Sequence, residues 1–172
     1  MPQLLIGCGN SRARKISPDG KDWDGLVTID HDPNCGADLV HDLDVLPWPV
    51  ASDGFEEVHA YEVLEHLGNQ GDFKSFFAHF AEIYRVLKPG GLLIATVPAW
   101  DSVWAWSDPS HRRIISRESL VFLDRTEYAK QIGVTPMTDF RWLWAGDFSL
   151  EASLTENGLF RFALKAHKPV RC

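Results

Sequence analysis

A short apolar run, Leu4-Leu5-Ile6, breaks into Gly7-Cys8-Gly9-Asn10, and a second run, Leu26-Val27-Thr28-Ile29, ends on Asp30, twenty-one residues past Gly9. Glycine has no Cβ, so a Gly-x-Gly turn lets backbone amides approach a polar ligand closely. A carboxylate closing the next apolar run is placed to accept hydrogen bonds from both hydroxyls of a ribose. The pair predicts a nucleoside-containing ligand at the switch point of an open α/β sheet, with His31 beside Asp30 in the same binding set.

A second group of residues offers acid–base chemistry. His111 stands in Asp108-Pro109-Ser110-His111-Arg112-Arg113, and His66 follows Glu65 in Val63-Leu64-Glu65-His66-Leu67. Imidazole titrates near neutrality and can take a proton from a hydroxyl or amide, so His111 is the first candidate catalytic base and His66 the second. Glu65 reads as a structural hydrogen-bond partner. Arg112 and Arg113 could hold an anionic group, but they read first as solvated charges. His31, His41 and His59 lack helical ligand spacing, so no metal site is expected. Cys8 reads as a small apolar residue packed under the glycine turn.

The elements that must position these groups alternate between apolar runs and helical periods, which predicts a parallel sheet flanked by helices. Strands are expected at Leu4 to Gly7, Leu26 to Asp30, Asp38 to His41, Phe55 to Tyr61 and Leu92 to Val97. The long, charged segment Ser11 to Asp24 reads as a loop, and so does Leu46-Pro47-Trp48-Pro49, because proline suits neither a helix interior nor a central strand. Between Asp72 and Leu87, Phe73, Phe76, Phe77, Phe80, Ile83 and Leu87 recur at helical spacing, and Lys88-Pro89-Gly90-Gly91 stops the helix. Ala99 to Ile115 is irregular, Ser116 caps a further helix, and Asp147 to Thr155 with Leu159 to His167 form a hairpin around Glu156-Asn157-Gly158. Trp100, Trp104, Trp106, Trp142 and Trp144 crowd one region; core packing is the first reading, with a stacking lid or a dimer interface as the others.

The bulk properties fit one domain spanning residues 1–172, with no repeat, linker or low-complexity run. A net charge of -7 gives no general basic footprint for nucleic acid. No run approaches the length of a membrane span, and Met1-Pro2-Gln3 leads into a strand without a signal peptide. Cys8, Cys35 and Cys172 stand at unrelated spacings, which predicts a reducing cytoplasm and neither a disulfide framework nor a zinc site.

Five ordered motifs carry a resemblance. Gly7-Cys8-Gly9-Asn10, Gly25 to Asp30, Asp42-Leu43-Asp44-Val45-Leu46-Pro47, Val63-Leu64-Glu65-His66-Leu67 and Arg85-Val86-Leu87-Lys88-Pro89-Gly90-Gly91 stand in this order. With them the chain resembles the class I S-adenosylmethionine-dependent methyltransferases of small bacterial and phage type, closely over about residues 3 to 98. The resemblance implies a doubly wound, mostly parallel seven-stranded sheet whose last strand is antiparallel, and S-adenosyl-L-methionine as cofactor. It implies that Gly7, Cys8, Gly9 and Asn10 wrap the methionine end, that Asp30 takes the ribose hydroxyls, and that Asp42 and the Leu43 amide hold the adenine. An acidic residue that many relatives carry two positions before the first glycine is Leu5 here, so Glu62 becomes the candidate for the methionine ammonium.

The expected activity is methyl transfer by in-line displacement. A small-molecule, glycan or nucleotide acceptor is favoured over bulk nucleic acid. No Asp/Asn-Pro-Pro-Tyr motif follows strand four and no Pro-Cys dipeptide occurs, which argues against amino-methylation of DNA and C5-methylation of a pyrimidine. Two other readings remain: a nicotinamide oxidoreductase, weakened by Arg12 where a third glycine should stand, and a non-catalytic S-adenosylmethionine-binding or interaction protein of the same fold.

Overall fold

The computed structural model describes residues 2–170, so Cys172 lies outside it. Seven strands form one sheet in the order β3-β2-β1-β4-β5-β7-β6. β1 (Gln3–Ile6) is parallel to β2 (Leu26–Asp30) and β4 (Phe55–Tyr61). β3 (Leu39–Val40) extends the sheet beyond β2, and β5 (Leu87–Pro98) lies beside β4. β7 (Leu159–Ala166) runs antiparallel between β5 and β6 (Phe148–Glu156). The chain winds outward from β1 in both directions, and the antiparallel last strand is as expected.

Alternation along the strands sorts the core. Leu4, Ile6, Val58, Ala60, Leu93, Ala95, Phe160, Phe162 and Leu164 share one buried cluster with Phe77, Phe80, Ile83 and Val86 of α1 (Phe73–Val86). α1 begins where Asp72 caps it, accepting from Ser75 N at 3.1 Å. It ends at Leu87, which is already extended and opens β5. Lys88 to Gly91 stops the helix as anticipated but is absorbed into β5, five residues before the expected start. Phe55 pairs with Leu87 while Glu57 pairs with Leu92, so the glycine-containing turn survives as a bulge, with Gly90 at φ +79°.

The other face is built differently. The crossovers from β1 to β2, β2 to β3 and β3 to β4 contain no helix among the described residues. Residues 11–25 run as a loop, as their composition predicts, over Gln3, Leu5, Glu57, His59 and Tyr61. Glu57 Oε2 accepts from Arg14 at 2.7 Å, Gln3 at 2.8 Å and His59 Nε2 at 2.8 Å. His59 Nδ1 then accepts from the Tyr61 hydroxyl at 2.6 Å, and that hydroxyl accepts from Ile16 N at 3.1 Å. Arg14 also donates to the carbonyls of Lys21 and Asp22, closing the loop on itself.

Beyond β5 the chain carries α2 (Val103–Ser107), α3 (Arg117–Val121) and α4 (Arg125–Gln131). Ser116 precedes α3 as expected, with Ser119 Oγ accepting from its amide at 3.1 Å. Core packing accounts for one tryptophan of this region only. Trp144 is buried and stacks on Phe148, whereas Trp100, Trp104, Trp106 and Trp142 are all exposed. No described helix is long and apolar enough to cross a membrane.

Candidate functional site

The glycine turn leaves the end of β1 where the strand order reverses. Gly7 has φ +60°, and a Cβ there would meet Val63 Cγ2 at 2.2 Å, so no other residue fits. Gly9 has φ +49°, but its missing Cβ would meet nothing within 4 Å, which leaves that side of the turn open to a ligand. Gly7 N donates to Ile29 O at 2.8 Å, tying the turn to the end of β2. Asn10 is exposed beside it.

Asp30 is buried, and its carboxylate is held by two amides: Gly9 N on Oδ2 at 2.8 Å and Asp32 N on Oδ1 at 2.9 Å. Asp30 thus caps the turn and stays free to bind a ligand, because each oxygen keeps a further lone pair for a hydroxyl. His31 is exposed on the rim, with Nδ1 3.4 Å from Asp30 Oδ1. Cys8 lies buried under the turn beside Cys35, and burial pushes its thiol up to about 11. The two thiols and the Asp30 carboxylate all lie within 4.8 Å of one another, a proximity their spacing does not reveal.

His41 N donates to Asp30 O at 2.8 Å and sets the loop after β3 against the end of β2. On that loop Asp42 is exposed and accepts from Asp44 N at 2.9 Å, while Leu43 is buried in the main core. Glu62, directly after β4, takes φ +58°, and its amide donates to Thr96 O at 2.8 Å. Its carboxylate faces Lys15 of the 11–25 loop at 3.0 Å. Any ammonium bound by Glu62 must share it with that lysine.

Next to Glu62 opens a cleft of about 270 Å³, lined by Glu62, Glu65, His66, Trp104, Asp108 and His111 among others. Leu64–His66 form one 3-10 turn. The carbonyl of Glu65 accepts from Arg112 N at 2.8 Å and Arg113 N at 3.0 Å, which carries His111 to the same place. The two imidazole rings meet edge to face at 4.9 Å. The two candidate bases, singled out separately in the sequence, therefore face one cleft.

Glu65 departs from its expected role. Both carboxylate oxygens are buried without a hydrogen-bond partner among the described residues, and burial pushes the group up to about 7. The arginines also depart from theirs. Arg112 is bonded to Asp44 at 2.8 Å, and buried Arg113 donates to the carbonyls of Asn69 and Asp72 and to Ser75 Oγ, so both brace the cleft wall. Asp44, which sequence reasoning passed over, gathers donors from Gly68 N, His79 Nε2 and Arg112. Those donors hold its carboxyl below the usual range against the opposing effect of burial. A separate apolar hollow of about 290 Å³, ringed by Phe73, Phe76, Phe77, Phe122 and Phe140, lies on the other side of Arg113 and shares no lining residue with the cleft.

The methyltransferase-domain family profile matches residues 4–95, which contain the glycine turn, Asp30, Asp42, Glu62 and His66. No curated protein gives a significant match. Among solved structures, a SAM-dependent methyltransferase from Archaeoglobus fulgidus superposes with a TM-score of 0.56 at 14% identity, covering 95% of this chain and 86% of that one. The N-methyltransferase NodS from Bradyrhizobium japonicum in complex with S-adenosyl-L-homocysteine gives 0.55 at 14% identity, covering 96% and 77%. A chain of the complex between the Haloferax volcanii Trm112 methyltransferase activator and a putative methyltransferase gives 0.61 at 16% identity, covering 96% and 82%. With the family profile spanning more than half its length, the chain belongs to the methyltransferase-domain family, as a class I, S-adenosylmethionine-dependent member.

Proposed function

We propose that this protein transfers the methyl group of S-adenosylmethionine to a hydroxyl of a small acceptor seated in the Glu65–His66–His111 cleft. The observation that carries the reading is Glu62, which follows β4 beside the glycine turn and also lines the cleft. A cofactor on Gly7 to Asn10, with its ribose on Asp30, its adenine by Asp42 and Leu43 and its rim at His31, would direct its methyl toward that wall.

A sulfonium methyl is already activated, so the protein's task is to hold the nucleophile in line and exclude water. The acceptor oxygen bonds to the methyl carbon as its proton leaves to the cleft. The carbon–sulfur bond breaks with its electron pair going to sulfur, releasing neutral S-adenosylhomocysteine. His66 and His111 are the acceptor-activating groups, and exposed Trp104 closes one side of the cleft. Two carboxylates lining it, Glu62 and Asp108, disfavour a polyanionic strand, which supports a small-molecule, glycan or nucleotide acceptor over bulk nucleic acid.

The non-catalytic reading draws on one observation, the Lys15–Glu62 pair already occupying the ammonium position. Radiolabelled S-adenosylmethionine incubated with pools of hydroxylated small molecules separates the two. Labelled product and S-adenosylhomocysteine in the wild type, both lost in the His66→Ala/His111→Ala double variant, are the expected result. Cofactor binding without acceptor-dependent turnover across such pools would leave the non-catalytic reading.

A further inference from the structure

The Glu65–His66–His111 cluster carries a feature that proton transfer alone does not explain. Glu65 is 2% exposed, yet neither carboxylate oxygen has a hydrogen-bond donor among the described residues. A buried carboxylate without a donor or a counter-charge is costly, and such groups are normally paired or bound to a metal. The nearby charges make the position worse for an anion: Glu62 and Asp108 lie close enough to oppose ionisation of Glu65, and Lys15, which favours it, is paired with Glu62.

The surrounding nitrogens are oriented for a cation. His66 Nδ1 lies 3.0 Å from the carbonyl of Ser110, which can only accept, so this nitrogen carries the proton and Nε2 keeps its lone pair. A second ring nitrogen fixed on a backbone carbonyl is the usual support of a metal-bound histidine. His111 Nδ1 is buried with no partner among the described residues, and its Nε2 lies 3.8 Å from Asp108 Oδ2. One ligand atom from each of Glu65, His66 and His111 falls within 4.8 Å of the other two. Ligands on one ion with bonds of about 2.1 Å stand roughly 3 to 4 Å apart, a contraction that small side-chain rotations supply.

We propose that Glu65, His66 and His111 bind one divalent cation of borderline character, of the manganese, iron(II), cobalt or zinc class, with open positions toward the cleft. Two imidazoles and one carboxylate on one face of an ion leave sites for exogenous oxygen. The inference rests on the methyl-transfer reading for its purpose and on this geometry for its existence. A hydroxyl bound at an open position gives up its proton more easily, and the proton passes to Asp108 or solvent. The oxygen then attacks the methyl carbon, and the carbon–sulfur electron pair leaves on sulfur. The histidines would thus act as ligands, and the acceptor would be an oxygen rather than an amine that needs no such activation.

The test reads metal binding directly, so it stands or falls apart from turnover. Titration of the protein with Mn²⁺, followed by loss of the free-ion EPR signal, should show one site per chain. Glu65→Gln, which keeps shape and removes charge, and His111→Asn should each weaken it about tenfold or more, with thermal unfolding confirming that both variants fold. Cys35→Ser should leave it unchanged. Co²⁺ should give the visible spectrum of nitrogen and oxygen ligands. An undiminished free Mn²⁺ signal with the wild type, equal binding by Glu65→Gln, or a thiolate charge-transfer band placing Co²⁺ at Cys8 and Cys35 would overturn the proposal.

Discussion

The two faces of the sheet solve the same problem with opposite chemistry. On one face α1 lays Phe77, Phe80 and Ile83 over Leu4, Ile6, Val58 and Ala60, and dispersion with apolar burial does the work. On the other, no helix follows β1, and residues 11–25 must satisfy their own backbone groups over a buried polar network. Arg14 is the centre of that network, with its side chain 4% exposed and paired to Glu57 at 2.7 Å. An apolar face tolerates small rearrangements, whereas a buried ion pair is strongly destabilising when one partner is removed alone. The edge that carries the glycine turn belongs to both faces, since Gly7 is pinned by Val63 from the first and Glu62 by Lys15 from the second.

Single substitutions should affect the two faces by different amounts. Phe80→Ala, at a site 2% exposed, should cost about 3–5 kcal/mol in urea unfolding, through lost burial and the cavity left behind. Arg14→Met should cost on the order of 3 kcal/mol, because it leaves the Glu57 carboxylate under the loop without its counter-charge. The Arg14→Met/Glu57→Gln double variant should recover most of that loss. A single Arg14 variant as stable as the wild type would mean that the second face is held by something other than this pair.

A smaller effect separates the faces by pH. Burial lowers the pKa of His59 below its ordinary 6.5, although its bond to Glu57 pulls the other way. The unfolded chain therefore takes up a proton near 6.5 that the folded protein refuses, so this contribution is present above that pH and is lost as pH falls. Glu57 is lowered from 4.5, since bonds from His59, Gln3 and Arg14 outweigh burial, and it acts only at more acid pH. Between these two values, His59→Gln should flatten the fall of the unfolding temperature relative to wild type. Parallel curves for the two proteins would remove His59 from the account.

What could be read from the residues follows the same division. The glycine turn, the carboxylate ending β2, the helical period from Phe73 and the doubly wound order all rest on local spacing. The unhelical 11–25 crossover was also legible, from its length and charge. The polar network was not, because Arg14 and Glu57 are 43 residues apart and neither position is marked by a period. His66 and His111 could be named one at a time. Their meeting depends on the amides of Arg112 and Arg113 bonding to the Glu65 carbonyl, a backbone contact with no side-chain signature. The exposed tryptophans were misread as core for a related reason: aromatic content signals burial on average and says nothing about which side of a cleft wall it occupies.

On the function proposed above, Gly7 to Asn10 and Asp30 form a working S-adenosylmethionine site. Calorimetric titration of the wild type and Asp30→Ala with S-adenosylhomocysteine, with NAD as control ligand, tests it most directly. Micromolar binding of S-adenosylhomocysteine, no heat with NAD, and a loss of about tenfold or more in the folded variant are predicted. A folded wild type that binds neither ligand, or an Asp30→Ala variant that binds as tightly as wild type, would contradict it.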